Sequence, residues 1–206
     1  AVSYKNPVVD IAMPDPTVIK AADGYFYVYA TESTRNVPIM KSKDLVEWTY
    51  CNTAFTNKTR PRFEPKAGIW APDINYINGK YVLYYAMSVW GGEQTCGIGV
   101  ATADSPQGPF TDHGKMFRSN EIGVQNSIDP SLLQYEGRNY LVWGSFRGIY
   151  VIELTADGLS IMPGAKKKRI AGTAFEAVYI HKHGDYYYMF ASIGSCCQGV
   201  KSTYKV

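Results

Sequence analysis

Asp15-Pro16-Thr17-Val18-Ile19, Ala71-Pro72-Asp73-Ile74-Asn75, Asp129-Pro130-Ser131-Leu132-Leu133 and Glu176-Ala177-Val178-Tyr179-Ile180 are four versions of one segment, roughly 50 residues apart. A glycine follows each, at Gly24, Gly79, Gly137 and Gly184. At one fixed distance beyond each anchor stand Tyr29, Tyr85, Trp143 and Phe190, with Ala30, Ala86, Gly144 and Ala191 one place later. Strand, glycine turn, strand is a β-hairpin signature, and β-branched and aromatic enrichment argues against helices. A third strand follows in the first three units, near Pro38 to Lys41, Gly97 to Thr102 and Gly148 to Leu154. The segments 44–48 and 105–110 read as outer turns leading to a last strand. Repeats of this length, each holding three or four short strands, match β-propeller blades; an immunoglobulin-type sandwich spends about 100 residues without internal repetition. The expectation is an all-β, five-bladed β-propeller of which residues 1–206, one domain, supply about three and a half blades. The stretch after Glu176 suffices for half a blade, so the remaining C-terminal blades are expected as a partner, from another chain or a further stretch of polypeptide.

Composition narrows the function. Aromatic residues make up 14%, led by 17 tyrosines, which suits strands and flat surfaces for stacking on sugars. No apolar run approaches the roughly 18 residues of a membrane span. The 21 basic and 18 acidic residues are spread too evenly for a nucleic-acid footprint, so neither nucleic acid nor membrane is an expected partner. The basic run Lys166 to Arg169, after Pro163-Gly164, reads as an exposed loop. Cys51, Cys96 and the adjacent Cys196-Cys197 lack zinc or redox spacing and read as buried free thiols, because neighbouring cysteines rarely bridge.

In a propeller the inner strand of each blade lines a central channel, so equivalent strand starts form a ring. Here the ring is acidic: Asp15, Asp129 and Glu176 share the column, and Asp73 stands two residues beyond Ala71, on the same strand face. A single Asp-Pro is usually a turn device. Three converging carboxylates are better explained by glycoside hydrolysis, which needs one carboxylic acid to protonate the leaving oxygen and one carboxylate to activate water or attack. Other chemistries lack their parts. The histidines are His113, His181 and His183, without a G-x-S-x-G or HExxH motif, and Gly97-x-Gly99 lacks the third glycine of a dinucleotide site. No metal site is read from these residues.

The motifs resemble those of the family 43 glycoside hydrolases, five-bladed propellers acting on arabinans and xylans. Met13 to Ile19 resembles the segment of the general base, Asn126 to Leu133 that of the aspartate tuning the acid, and Phe175-Glu176 that of the general acid. Trp70-Ala71-Pro72-Asp73 and Ser105 to Phe110 are also similar to family segments. The resemblance implies an inverting single displacement, with Asp15 activating water, Glu176 protonating the departing oxygen, and Asp129 orienting Glu176. Trp143 to Phe146, Gly194 to Cys197 and Ser202-Thr203-Tyr204 most resemble endo-acting α-1,5-L-arabinanases, with an exo-acting arabinofuranosidase or β-xylosidase as the alternative. A sugar-binding propeller without catalysis is a further reading, against which the three intact carboxylates count. Expected substrate contacts are Trp70, Asp73, Trp90, Asn126, Ser127, Ser145 and Phe146, around an arabinan or xylan oligosaccharide. Ala177-Val178 stand where the family usually has Gly-Pro after the acid. The resemblance also implies a channel Ca2+ beside a fifth-blade histidine; this chain contains no such segment, and its own residues require no cofactor. Such a substrate implies a secreted or periplasmic protein.

Overall fold

The structure, a computed structural model, describes residues 3–201; the expectation at Ser202-Thr203-Tyr204 lies outside the described residues. Three antiparallel four-stranded sheets follow one another along the chain. The first blade holds β1 (Thr17–Lys20), β2 (Phe26–Tyr29), β3 (Pro38–Ser42) and β4 (Thr49–Thr53). The second holds β5 (Gly68–Ile77), β6 (Lys80–Ser88), β7 (Gly97–Ala103) and β8 (Thr111–Arg118). After the single helical turn α1 (Ser119–Ile122), the third holds β9 (Ser131–Tyr135), β10 (Arg138–Trp143), β11 (Ile149–Leu154) and β12 (Lys168–Ala171). The hairpin of β13 (Glu176–His183) and β14 (Tyr186–Ser192) is half a blade more. First strands of successive blades touch, β1 on β5, β5 on β9 and β9 on β13, which sets the blades radially about a channel. The described residues thus supply three and a half blades of the five-bladed propeller expected.

Side-chain alternation explains the stacking. Along β6, Tyr81, Leu83, Tyr85 and Met87 enter a core shared with Tyr27, Tyr29 and Ile39 of the first blade, whereas Val82 and Tyr84 face Leu141 and Trp143 of the third. The two-residue period thus sends one strand into two cores. Along β10, Leu141 and Trp143 point back to the second blade, and Val142 forward to Val178 of β13. Each such fully buried large side chain contributes about 1.5–3 kcal/mol relative to exposure.

Three expectations are corrected. Only Lys166 and Lys167 of the basic run precede a strand; Lys168 and Arg169 open β12, an outer edge strand, where exposed cations block edge-to-edge pairing. Cys196 and Cys197 are bridged to each other, while Cys51 is half-buried and Cys96 buried, both as thiols. The repeat column also needs shifting in the fourth unit. Asp15, Ala71, Asp129 and Ala177 all have positive φ, at 50°, 39°, 58° and 51°. In each blade the inner pairing slips by one residue there: Trp70 pairs with Ala86 but Asp73 with Tyr84, and Glu176 with Ser192 but Tyr179 with Phe190. The hydrogen bonds from Thr31 N–H to Pro14 O and from Gly144 N–H to Ile128 O mark the same slip in blades one and three. A β-bulge therefore opens every inner strand, and Glu176 stands one residue before it, equivalent to Trp70.

Candidate active site

Bulges re-aim side chains at the rims of sheets, and these four turn theirs into one cavity of about 1170 Å³. Asp15, Asp129 and Glu176 all line it. Asp15, exposed to the cavity, accepts a 2.6 Å hydrogen bond from the Thr31 hydroxyl, which in turn accepts the Ala71 N–H at 2.6 Å. That relay fixes the Asp15 carboxylate at the cavity wall. Glu176 is buried, and its Oε2 accepts the Ser145 hydroxyl at 2.9 Å. Phe146 N–H donates to Phe175 O beside it, so the third blade holds the fourth blade's glutamate.

Burial, above all, raises the Asp129 carboxyl well above the ordinary aspartate range; the charges of Glu176 and then Asp15 push the same way, opposed by a hydrogen bond from the Ala177 N–H. Asp129 therefore retains its proton to higher pH than a surface aspartate would.

The expected substrate contacts divide into two groups. Trp70 and Trp90 meet at 5.6 Å between ring centroids on the cavity wall, and Trp90 is 78% exposed, an aromatic surface open to a ligand. Phe146 and Asn126, both at positive φ, also line the cavity, and the Asn126 amide donates to Ser145 O at 3.0 Å. Ser145 lines it too, with its hydroxyl spent on Glu176. Asp73 lines the cavity but is only 7% exposed, and its carboxylate accepts from Leu132 N–H, the Asn75 amide and the Thr17 hydroxyl, tying three blades together. Burial pushes its carboxyl up to about 6. Ser127 departs from the expectation: it is fully buried, donates to Val124 O and accepts the Trp143 indole N–H, so it supports the third blade's core. Thr31 was not legible in the sequence, because one hydroxyl after an apolar strand carries no signature. Nor was the ion pair of Glu93 with Arg147, at 2.9 Å, which joins the loops bearing Trp90 and Phe146.

Among the described residues no cluster of three or more His, Cys, Asp or Glu side chains is arranged to hold a metal ion. No helix among them is long and apolar enough to cross a membrane.

A propeller with three coupled carboxylates at the head of its channel has the layout of a glycoside-cleaving fold. The chain belongs to glycosyl hydrolases family 43, whose family model matches residues 4–206. The extracellular endo-alpha-(1->5)-L-arabinanase 1 of Bacillus subtilis is 37% identical over 206 residues, covering 93% of this chain and 62% of that protein. The structure of Cellvibrio cellulosa alpha-L-arabinanase complexed with arabinohexaose superposes with a TM-score of 0.82 at 29% identity, covering 94% of this chain and 69% of that one. An exo-1,5-alpha-L-arabinanase from a bovine ruminal metagenomic library gives 0.81 at 31% identity, covering 98% of this chain and 71% of that one. The chain thus spans about three fifths of the curated relative's length.

Proposed function

We propose that the protein carrying this chain hydrolyses α-1,5-linked L-arabinan by inversion, with the trio around one cavity as the observation that carries the reading. Asp15, oriented by Thr31, takes a proton from water as that water attacks the anomeric carbon. Glu176, held by Ser145, gives its proton to the departing glycosidic oxygen. Asp129 is the coupled third carboxylate, linked through the Ala177 N–H to the residue after Glu176 and facing both partners electrostatically. Trp70 and Trp90 supply the stacking surface for a furanose ring. Arabinan is favoured over xylan because the relatives are named for arabinan and one neighbour holds arabinohexaose; endo action follows the Bacillus relative, with exo action the alternative that the ruminal neighbour keeps in view.

Secretion is proposed from the extracellular relative, and the Cys196–Cys197 bridge suits an oxidising compartment. We also propose that further polypeptide covers the outward face of β13–β14, because Tyr179, Tyr186, Tyr188 and Phe190 lie exposed on one side of that hairpin. Incubation with debranched arabinan, following reducing ends and product lengths, tests the activity. Internal cuts giving mixed oligosaccharides are expected. Binding without release would reduce the protein to a sugar-binding propeller.

A further inference from the structure

The segment Lys58-Thr59-Arg60-Pro61-Arg62-Phe63-Glu64-Pro65-Lys66 carries four cations and one acid. It wraps a second cavity of about 350 Å³ that none of the carboxylate trio lines; Arg35, Arg60, Arg62 and Lys66 line it together with the acid Glu64, with Ala67 and Met87 as apolar wall. Two of the local charges are already matched. The Arg60 guanidinium is buried against Glu32 at 2.7 Å, and Glu64 is paired with Arg118 at the end of β8. The other cations make no ion pair among the described residues. Arg35 Nε donates to the Asn57 side-chain oxygen at 3.0 Å and Arg62 to the Asn57 carbonyl at 2.6 Å, both neutral acceptors. Lys66 has no ion pair among the described residues. Three exposed positive groups therefore converge on a concavity whose one acid is used elsewhere.

We infer that this cavity binds the carboxylates of a uronate-bearing polysaccharide. A guanidinium fork matches a carboxylate in two parallel hydrogen bonds, and a lysine adds a mobile point charge. A neutral pentose polymer would leave these charges unanswered. A short chain of bonds connects the site to the main cleft: Glu32, which holds Arg60, also accepts the N–H of Ile69, next to Trp70. An acidic stretch of a mixed polysaccharide would dock here while a neutral branch lies across Trp70. The choice of a sugar acid over other anions rests on the proposed reading of that cleft; the binding itself does not.

The test is calorimetric titration of the protein carrying this chain with trigalacturonate, using arabinotriose and inorganic phosphate as comparison probes. Arg35, Arg62 and Lys66 are surface residues outside the catalytic trio, so Arg62→Ala combined with Lys66→Ala is expected to fold and to cleave neutral arabinan normally. It should bind trigalacturonate about tenfold or more weakly than the parent, and parental binding should weaken as salt rises. Absence of binding, equal affinity in the double variant, or displacement by equimolar phosphate would each overturn the proposal. If trigalacturonate binds in the expected way while arabinan is not cleaved, this site stands and the reading of the main cleft fails.

Discussion

The roles proposed for Glu176 and Asp15 differ, and substrates with different leaving groups separate them. Glu176→Gln should lower arabinan cleavage by roughly 10²- to 10⁴-fold, with a smaller loss on activated aryl arabinosides, whose leaving group needs little protonation. Asp15→Asn should damage both alike, since water must be activated in either case; initial rates on the two substrates decide it. Asp73 offers a test by pH. Its carboxyl is raised to about 6 in the fold, so the folded state holds a proton that the unfolded chain has already lost above about pH 4. The neutral form's stability is therefore complete below the unfolded value and is lost as pH rises through the folded one. A rise of about two pKa units corresponds to about 3 kcal/mol at most. Asp73→Asn, still able to accept the Leu132 N–H, should lose less stability than the parent between pH 4 and pH 7 in urea titrations. Equal losses would show that Asp73 is not the group responsible. Residue types along the anchor column were legible in the sequence. That Asp73 and Ser127 spend their polar atoms on the protein was not, because burial depends on what the neighbouring blades place against them.

The recurring element is a hairpin whose inner strand opens with a bulge, and the repeat announced the hairpin but not the bulge. Nothing in the sequence separates Glu176 from the column of Asp15, because one extra residue leaves the apolar pattern of Val178 and Ile180 readable in either register. Only the positive φ at Ala177 and the slip between Glu176 and Tyr179 place the glutamate ahead of the bulge. The glycines of Gly97-x-Gly99, poor evidence for a nucleotide loop, have a packing reason instead. A Cβ on Gly97 would lie 2.3 Å from Phe117 O, and one on Gly99 would lie 2.3 Å from the Tyr85 hydroxyl oxygen. Gly99→Ala should cost about 1–3 kcal/mol of stability by overpacking, read as a lower urea midpoint with unchanged slope. A change of only a few tenths would mean that Tyr85 moves aside freely.

At the scale of the molecule, the cores lie between blades rather than within them, so each blade is stabilised by its neighbours. This much was legible, since a repeat with apolar residues on both faces of its second strand must be covered on both sides. The outward face of β13–β14 is the exception, and the isolated 206-residue chain should bind an apolar dye and associate as its concentration rises. Phe190→Lys should reduce both effects; a chain that stays monomeric and dye-free would contradict that reading. The proposed inversion requires Asp15 and Glu176 to work on opposite sides of one glycosidic bond. Proton NMR of the first product released from an arabinan oligosaccharide by the protein carrying this chain tests it most directly. Inversion predicts that the β-anomer of arabinofuranose at the new reducing end appears first and then mutarotates, whereas an α-anomer appearing first would contradict the roles given to both residues.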